Sequence, residues 1–132
     1  MTGPFELKLR QFAERFGQEG EEKVAQVALE VFRRVVIRSP VDTGRFRANW
    51  QYGVDIPAGQ IIDNPAWTPQ TKAPPPKEPT PVLSLEVVHV ISNHLPYARR
   101  LEYGHSAQAP GGMVRITVGE FQSIVDKAGG AT

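Results

Sequence analysis

An α+β domain, with a small antiparallel sheet packed against helices, is the fold class this sequence predicts. Three observations carry it. Residues 21–38 hold the apolar stripe of a long amphipathic helix. Residues 47–56 and Val82–Ser92 read as strands, the first by alternation and the second as a near-continuous apolar run. Between the two strands lies Pro57 to Pro81, too rich in proline for helix or sheet.

The chain has 132 residues, enough for one domain (1–132) with a modest core. Apolar residues make up 40% and charged residues 22%, ordinary values for a globular protein. A formal charge of +1 argues against a dedicated nucleic-acid binder, which normally shows a basic excess. The absence of cysteine excludes disulfides, thiol catalysis and cysteine-based zinc sites. Met1-Thr2-Gly3-Pro4 does not begin a signal peptide, and no apolar run is long enough to cross a bilayer. A cytoplasmic setting without membrane contact is expected.

Taken in order, Phe5, Leu9, Phe12, Ala13 and Phe16 have helical spacing, weakened afterwards by Gly17 and Gly20. Val24, Val27, Ala28, Val31, Phe32 and Val35 then form the stripe of the long helix. Glu21 and Glu22 near its start and Arg33, Arg34 and Arg38 near its end complement the helix dipole. Pro40 disfavours helical geometry at Ser39 and sets the stop. Pro40-Val41-Asp42-Thr43-Gly44 reads as a structural turn, with Asp42 bonding backbone N–H groups ahead of it and Gly44 taking a positive φ.

The first strand is expected over Arg47 to Ile56 with an aromatic face, and Gly53 marks a weak point or bulge. The arm from 57 to 81 is expected to be extended and polyproline-like. Its Ile61, Ile62 and Trp67 suggest apolar anchors that a pure spacer would not need. The expected course is out of the sheet, over a neighbouring subunit, and back at Val82. In the second strand Leu83, Leu85, Val87 and Ile91 would share a face, and the strand should pair antiparallel with the first. A short helix entered at Asn93 or His94, with Pro96 in its first turn, should end at Gly104. A loop through Pro110 to Gly112 follows, and then a closing helix from Gly112 or Thr117 to Lys127.

Catalytic patterns are missing. His94, Glu102 and His105 are close in sequence, but Gly104 interrupts any shared helical face, and no second cluster of ligands is evident. No Gly-x-Ser-x-Gly elbow or phosphate-cradling glycine loop is present. Neither an enzyme nor a cofactor requirement is expected. Arg45, Arg47, Arg99 and Arg100 remain as groups that bind phosphate or pair with carboxylates across an interface. Tyr97 and Tyr103 read more readily as half-buried packing than as recognition groups.

Two motifs carry a resemblance. Pro40-Val41-Asp42-Thr43-Gly44-Arg45-Phe46-Arg47 directly follows an amphipathic helix, and Pro96-Tyr97-Ala98-Arg99-Arg100-Leu101-Glu102-Tyr103-Gly104 directly follows a strand. In that order, over roughly Glu21 to Lys127, the chain resembles the neck or head–tail joining proteins of tailed bacteriophages, also called tail-completion or minor tail components. The proline-rich arm departs from that pattern as an insertion, and so does Ala109-Pro110-Gly111-Gly112-Met113.

The resemblance implies a non-enzymatic virion subunit at the head–tail junction. It implies a homo-oligomeric ring, hexamer or dodecamer, touching a neighbouring connector and a tail-terminator or tail-tube protein, with transient non-specific contact with passing DNA. The subunit or ring interface is then expected to draw on Arg45, Arg47, Ile61, Ile62, Trp67, Tyr97, Arg99, Arg100, Glu102 and Tyr103. The competing expectation is a small nucleic-acid or phosphate-binding module using Arg45, Arg47, Arg99 and Arg100.

Overall fold

The computed structural model describes residues 20–96, 98 and 114–128. The N-terminal stripe at Phe5–Phe16 and the greater part of the Asn93–Gly112 segment lie outside them. So do Tyr97, Arg99, Arg100, Glu102 and Tyr103.

Helix α1 spans Gly20–Arg38 and buries Val24, Val27, Ala28, Val31, Phe32 and Val35, the stripe expected of it. It stops where Ser39 turns its hydroxyl back to donate to the Val35 carbonyl at 2.7 Å. That same hydroxyl accepts the indole N–H of Trp50 at 2.6 Å, so the helix end and the core tryptophan are tied together. The turn that follows places Gly44 at φ 82°, in the left-handed region expected of it. Asp42, however, is exposed. Thr43 makes the local bond instead, its Oγ1 accepting the Arg45 N–H at 3.2 Å.

Residues 47 and 48, expected to open the strand, are helical: α2 spans Arg45–Ala48. Phe46 and Trp50 are four residues apart, and one helical turn brings their rings edge to face at 5.8 Å. That spacing can be mistaken for strand alternation. Strand β1 is limited to Gln51–Val54. It pairs antiparallel with β2, His89–Ser92, in the register Gln51 with Ser92 through Val54 with His89. Gly53 keeps that register, opposite Val90, without a bulge.

The long second strand is also shorter than expected. Residues 82–88 are irregular. A strand needs a partner for its backbone groups, and β1 ends at Val54, just before Asp55, whose φ of 66° turns the chain away. Asp55 instead closes the sheet end with two bonds: its N–H donates to Val88 O at 2.8 Å, and its Oδ1 accepts the Val88 N–H at 2.9 Å. Leu83, placed by alternation on the inner face, is 59% exposed. Leu85 does pack against the core.

Beyond β2, Asn93 Oδ1 accepts the Leu95 N–H, and its Nδ2 donates to Phe46 O at 2.9 Å, which ties this stretch to α2. The short helix expected to follow lies outside the described residues. The closing helical segment is split into α3, Val114–Gly119, and α4, Phe121–Ala128. α1 packs against both. Ile124 and Val125 enter the core with Trp50, Ile91, Leu95 and Ala98. Ile116 is 42% exposed, while Thr117 beside it is fully buried.

The α3–α4 break is held by charge. Glu120 receives Arg34 Nη1 at 2.9 Å and Arg38 Nη1 at 2.6 Å, and Arg38 Nη1 also reaches Thr117 Oγ1 at 2.8 Å. Hydrogen bonds from Arg38 and then Arg34 hold the Glu120 carboxyl at a pKa of about 2. A depressed carboxylate stabilises the fold above its ordinary pKa, and the contribution is lost as pH falls through the depressed value. Stability should therefore decline between pH 4.5 and 2, and Glu120→Gln should flatten that part of the curve. Denaturant unfolding at stepped pH checks this.

Candidate interaction surface

The proline-rich segment is where the structure departs furthest from expectation. Residues 57–81 contain no helix or strand. Yet within the single chain residues 58–62 lie on the sheet, and Ala73 and Glu78 are bound to the Pro40–Gly44 turn and to α1. Pairs across β1 and β2 share a face, so Trp50, Tyr52, Val54, His89 and Ile91 form one side and Gln51, Gly53, Val90 and Ser92 the other. The first side meets α1. Residues 58–62 cover the second.

Their contacts follow a regular spacing. The Asn49 side chain acts as a peptide unit toward Ile62, its Oδ1 accepting the N–H at 2.7 Å and its Nδ2 donating to the C=O at 2.8 Å. Gln51 Nε2 donates to Gln60 O. At Gly53 an added Cβ would sit 2.4 Å from Ile56 O and 2.6 Å from Ala58 N. Residues 49, 51 and 53 are thus matched with 62, 60 and 58, an antiparallel relation in which side-chain amides replace a backbone ladder. His94 Nε2 lies 2.8 Å from Ala58 O and 3.1 Å from Ser92 Oγ. A carbonyl only accepts, so Nε2 carries the proton.

Farther along, Asn64 and Thr68 close two turns through Ala66 and Thr71. Ala73 then docks on the Pro40–Gly44 turn. It is 1% exposed; its N–H donates to Thr43 O at 2.7 Å, and its C=O accepts Arg47 Nη2 at 3.1 Å. Lys72 Nζ reaches Asp42 O at 2.8 Å. Glu78 is bound through both carboxylate oxygens by Arg33, an exposed pair that adds little energy but fixes position. The segment ends where the Val82 N–H donates to Tyr52 Oη at 3.1 Å.

Of the residues expected at an interface, Arg45 and Arg47 are brought together on α2, both turned toward the segment. Arg45 Nε is 3.4 Å from Asp63 Oδ1, an ion-pair distance without hydrogen-bond geometry. Ile61 and Ile62 are 47% and 46% exposed, and Trp67 is half-buried. The receiving residues Asn49, Gln51, Ser92 and His94 escape a sequence reading because a polar strand face looks like a solvent face.

Tyr52 also joins the segment's end to the sheet interior. Its Oη accepts from Val82 and lies 2.6 Å from His89 Nδ1. The two share one hydrogen bond, and His89 Nε2 is buried without a hydrogen-bond partner. Burial lowers the His89 pKa, against weaker upward pulls from the Ser84 backbone and Asp55. A ring that resists protonation only when folded makes stability fall as pH drops below the ordinary value of about 6.5. His89→Phe should reduce the fall in stability below that value in chemical unfolding. An unchanged slope would contradict the assignment.

Chemistry is sparse elsewhere. A shallow groove of about 230 Å³ between α1 and α4 is lined by Gln26, Leu29, Glu30, Arg33, Ile124 and Lys127. The Glu30 carboxylate there is already held by Arg34 at 2.7 Å. Among the described residues there is no group of three or more metal-ligating side chains and no helix long and apolar enough to cross a membrane. Comparison with protein-family models, curated proteins and solved structures finds no match.

Proposed function

We propose that this chain is a structural virion protein of a tailed bacteriophage, a ring-forming neck or head–tail connector subunit that joins the DNA-filled head to the tail and lets DNA pass. The observation that carries the reading is the order of two motifs: Pro40–Arg47 directly after an amphipathic helix, and Pro96–Gly104 directly after the second strand. The positive φ at Gly44 gives the first motif a physical reason, since the turn redirects the chain from α1 into α2 and the sheet. The near-neutral charge is compatible with a channel that does not grip DNA, because a strongly basic lumen binds phosphates by counterion release.

Arg45 and Arg47 are turned toward Asp63 and Ala73 of their own chain, which speaks against their serving as a phosphate clamp. A non-enzymatic role follows from the same reading. The free subunit should be monomeric or weakly associated and should close into a hexameric or dodecameric ring on its connector and tail-side neighbours. The arm's exposed Ile61 and Ile62 then supply apolar contact between subunits.

The test is particle assembly without the protein. DNA-filled heads and separate tails should accumulate, and adding the purified subunit should join them. Joined, infectious particles formed in its absence would overturn the proposal, as would salt-dependent DNA retention by the isolated protein.

A further inference from the structure

The sheet face that carries residues 58–62 has the character of a peptide receptor rather than of a core. Its contacts are hydrogen bonds from Asn49, Gln51 and His94 to backbone groups, set at a two-residue spacing, with Gly53 letting the backbone come close. Any copy of the same segment satisfies such contacts equally and covers Val90, which is buried on this face.

The link between strand and segment is short and strained. Asp55 holds φ 66° without being glycine, and Pro57 follows two residues later. Strained short hinges favour opening and exchange between identical chains. Beyond the receptor, residues 63–81 are rich in proline, and extended chain of that kind covers about 3 Å per residue. That length allows the segment to reach a neighbouring subunit and still return to its own Val82.

We propose that this face is a receptor for an extended segment, filled within one chain by residues 58–62 and filled in the assembled protein by residues 58–62 of a second copy. It rests on the proposed ring only for the presence of that second copy. Opening at Asp55–Pro57 releases the left-handed residue, and Ile61 and Ile62 travel with the segment to the neighbour.

The natural chain has no cysteine, so the exchange can be read by cross-linking full-length variants. Arg45→Cys and Asp63→Cys, positions that lie side by side and leave the receptor's hydrogen bonds in place, are made in separate chains, mixed across a range of concentrations, and treated with a short bis-maleimide. Glu22→Cys mixed with Asp63→Cys gives the background. Exchange predicts a heterodimer several-fold above that background, rising with concentration, while the double variant at low concentration cross-links within one chain. Heterodimer at the background level at every concentration overturns the proposal. Sedimentation of the same samples separates this result from the ring reading. Rings without the heterodimer reject exchange alone, and heterodimer without rings supports exchange while counting against the ring.

Discussion

Replacing Trp50 with alanine should destabilise the domain more than any other single truncation among the described residues. Trp50 is 1% exposed and is among the largest fully buried side chains. Its ring packs edge to face on Phe46, and its indole N–H ends on Ser39 Oγ, the group that also closes α1. Truncating a buried tryptophan costs about 3–5 kcal/mol, and a small domain's whole stability is roughly 5–15 kcal/mol. Trp50→Phe separates the two causes. It keeps most of the ring packing and loses the bond, so it should cost only about 1–2 kcal/mol. Equal destabilisation by both variants in urea unfolding would contradict this division.

Gly44→Val should cost about 3 kcal/mol, and for two reasons that act together. A left-handed backbone disfavours an L side chain by about 1–2 kcal/mol, and Gly44 sits at φ 82°. An added Cβ would also meet Ala73 O at 2.7 Å and Ala73 N at 2.9 Å. The valine must therefore displace the proline-rich segment from the turn as well as strain the turn itself. Asp42→Ala, by contrast, should be nearly silent, since Asp42 is exposed and Thr43 supplies the local bond. Thermal unfolding of both variants checks the pair; a silent Gly44→Val would remove the close approach of Ala73.

Helix α1 was legible in the sequence because its stripe, charges and stop signal all agree on one period. The antiparallel pairing of the two strands was legible for the same reason, as was the left-handed Gly44. The strand lengths were not. Alternation at Trp50, Tyr52 and Val54 is real, but Phe46 belongs to a helical turn, and a spacing of four serves both patterns. Val82–Val88 has strand composition without a strand partner, because β1 is only four residues long.

The docking of residues 57–81 was hidden for a different reason. Proline density correctly excludes regular structure, but it does not exclude order. Here the order comes from distant side chains, Asn49, Gln51, Arg47 and Arg33, and from the backbone of Thr43. Nothing in the local sequence of the segment announces those partners. The polar face of β1 held the only hint: Asn49, Gln51 and Gly53 alternate as strictly as the aromatic face does.

The central structural claim is that the proline-rich segment is a hydrogen-bonded layer of the domain rather than a free arm. Amide hydrogen exchange at Ile62 and Ala73 tests it most directly, since those N–H groups donate to Asn49 Oδ1 and Thr43 O. Both amides should exchange well below the rate of an unstructured peptide in the natively folded protein, and Asn49→Ala should release Ile62 while sparing Ala73. Exchange of both at the unstructured rate, with α1 still protected, would contradict the claim.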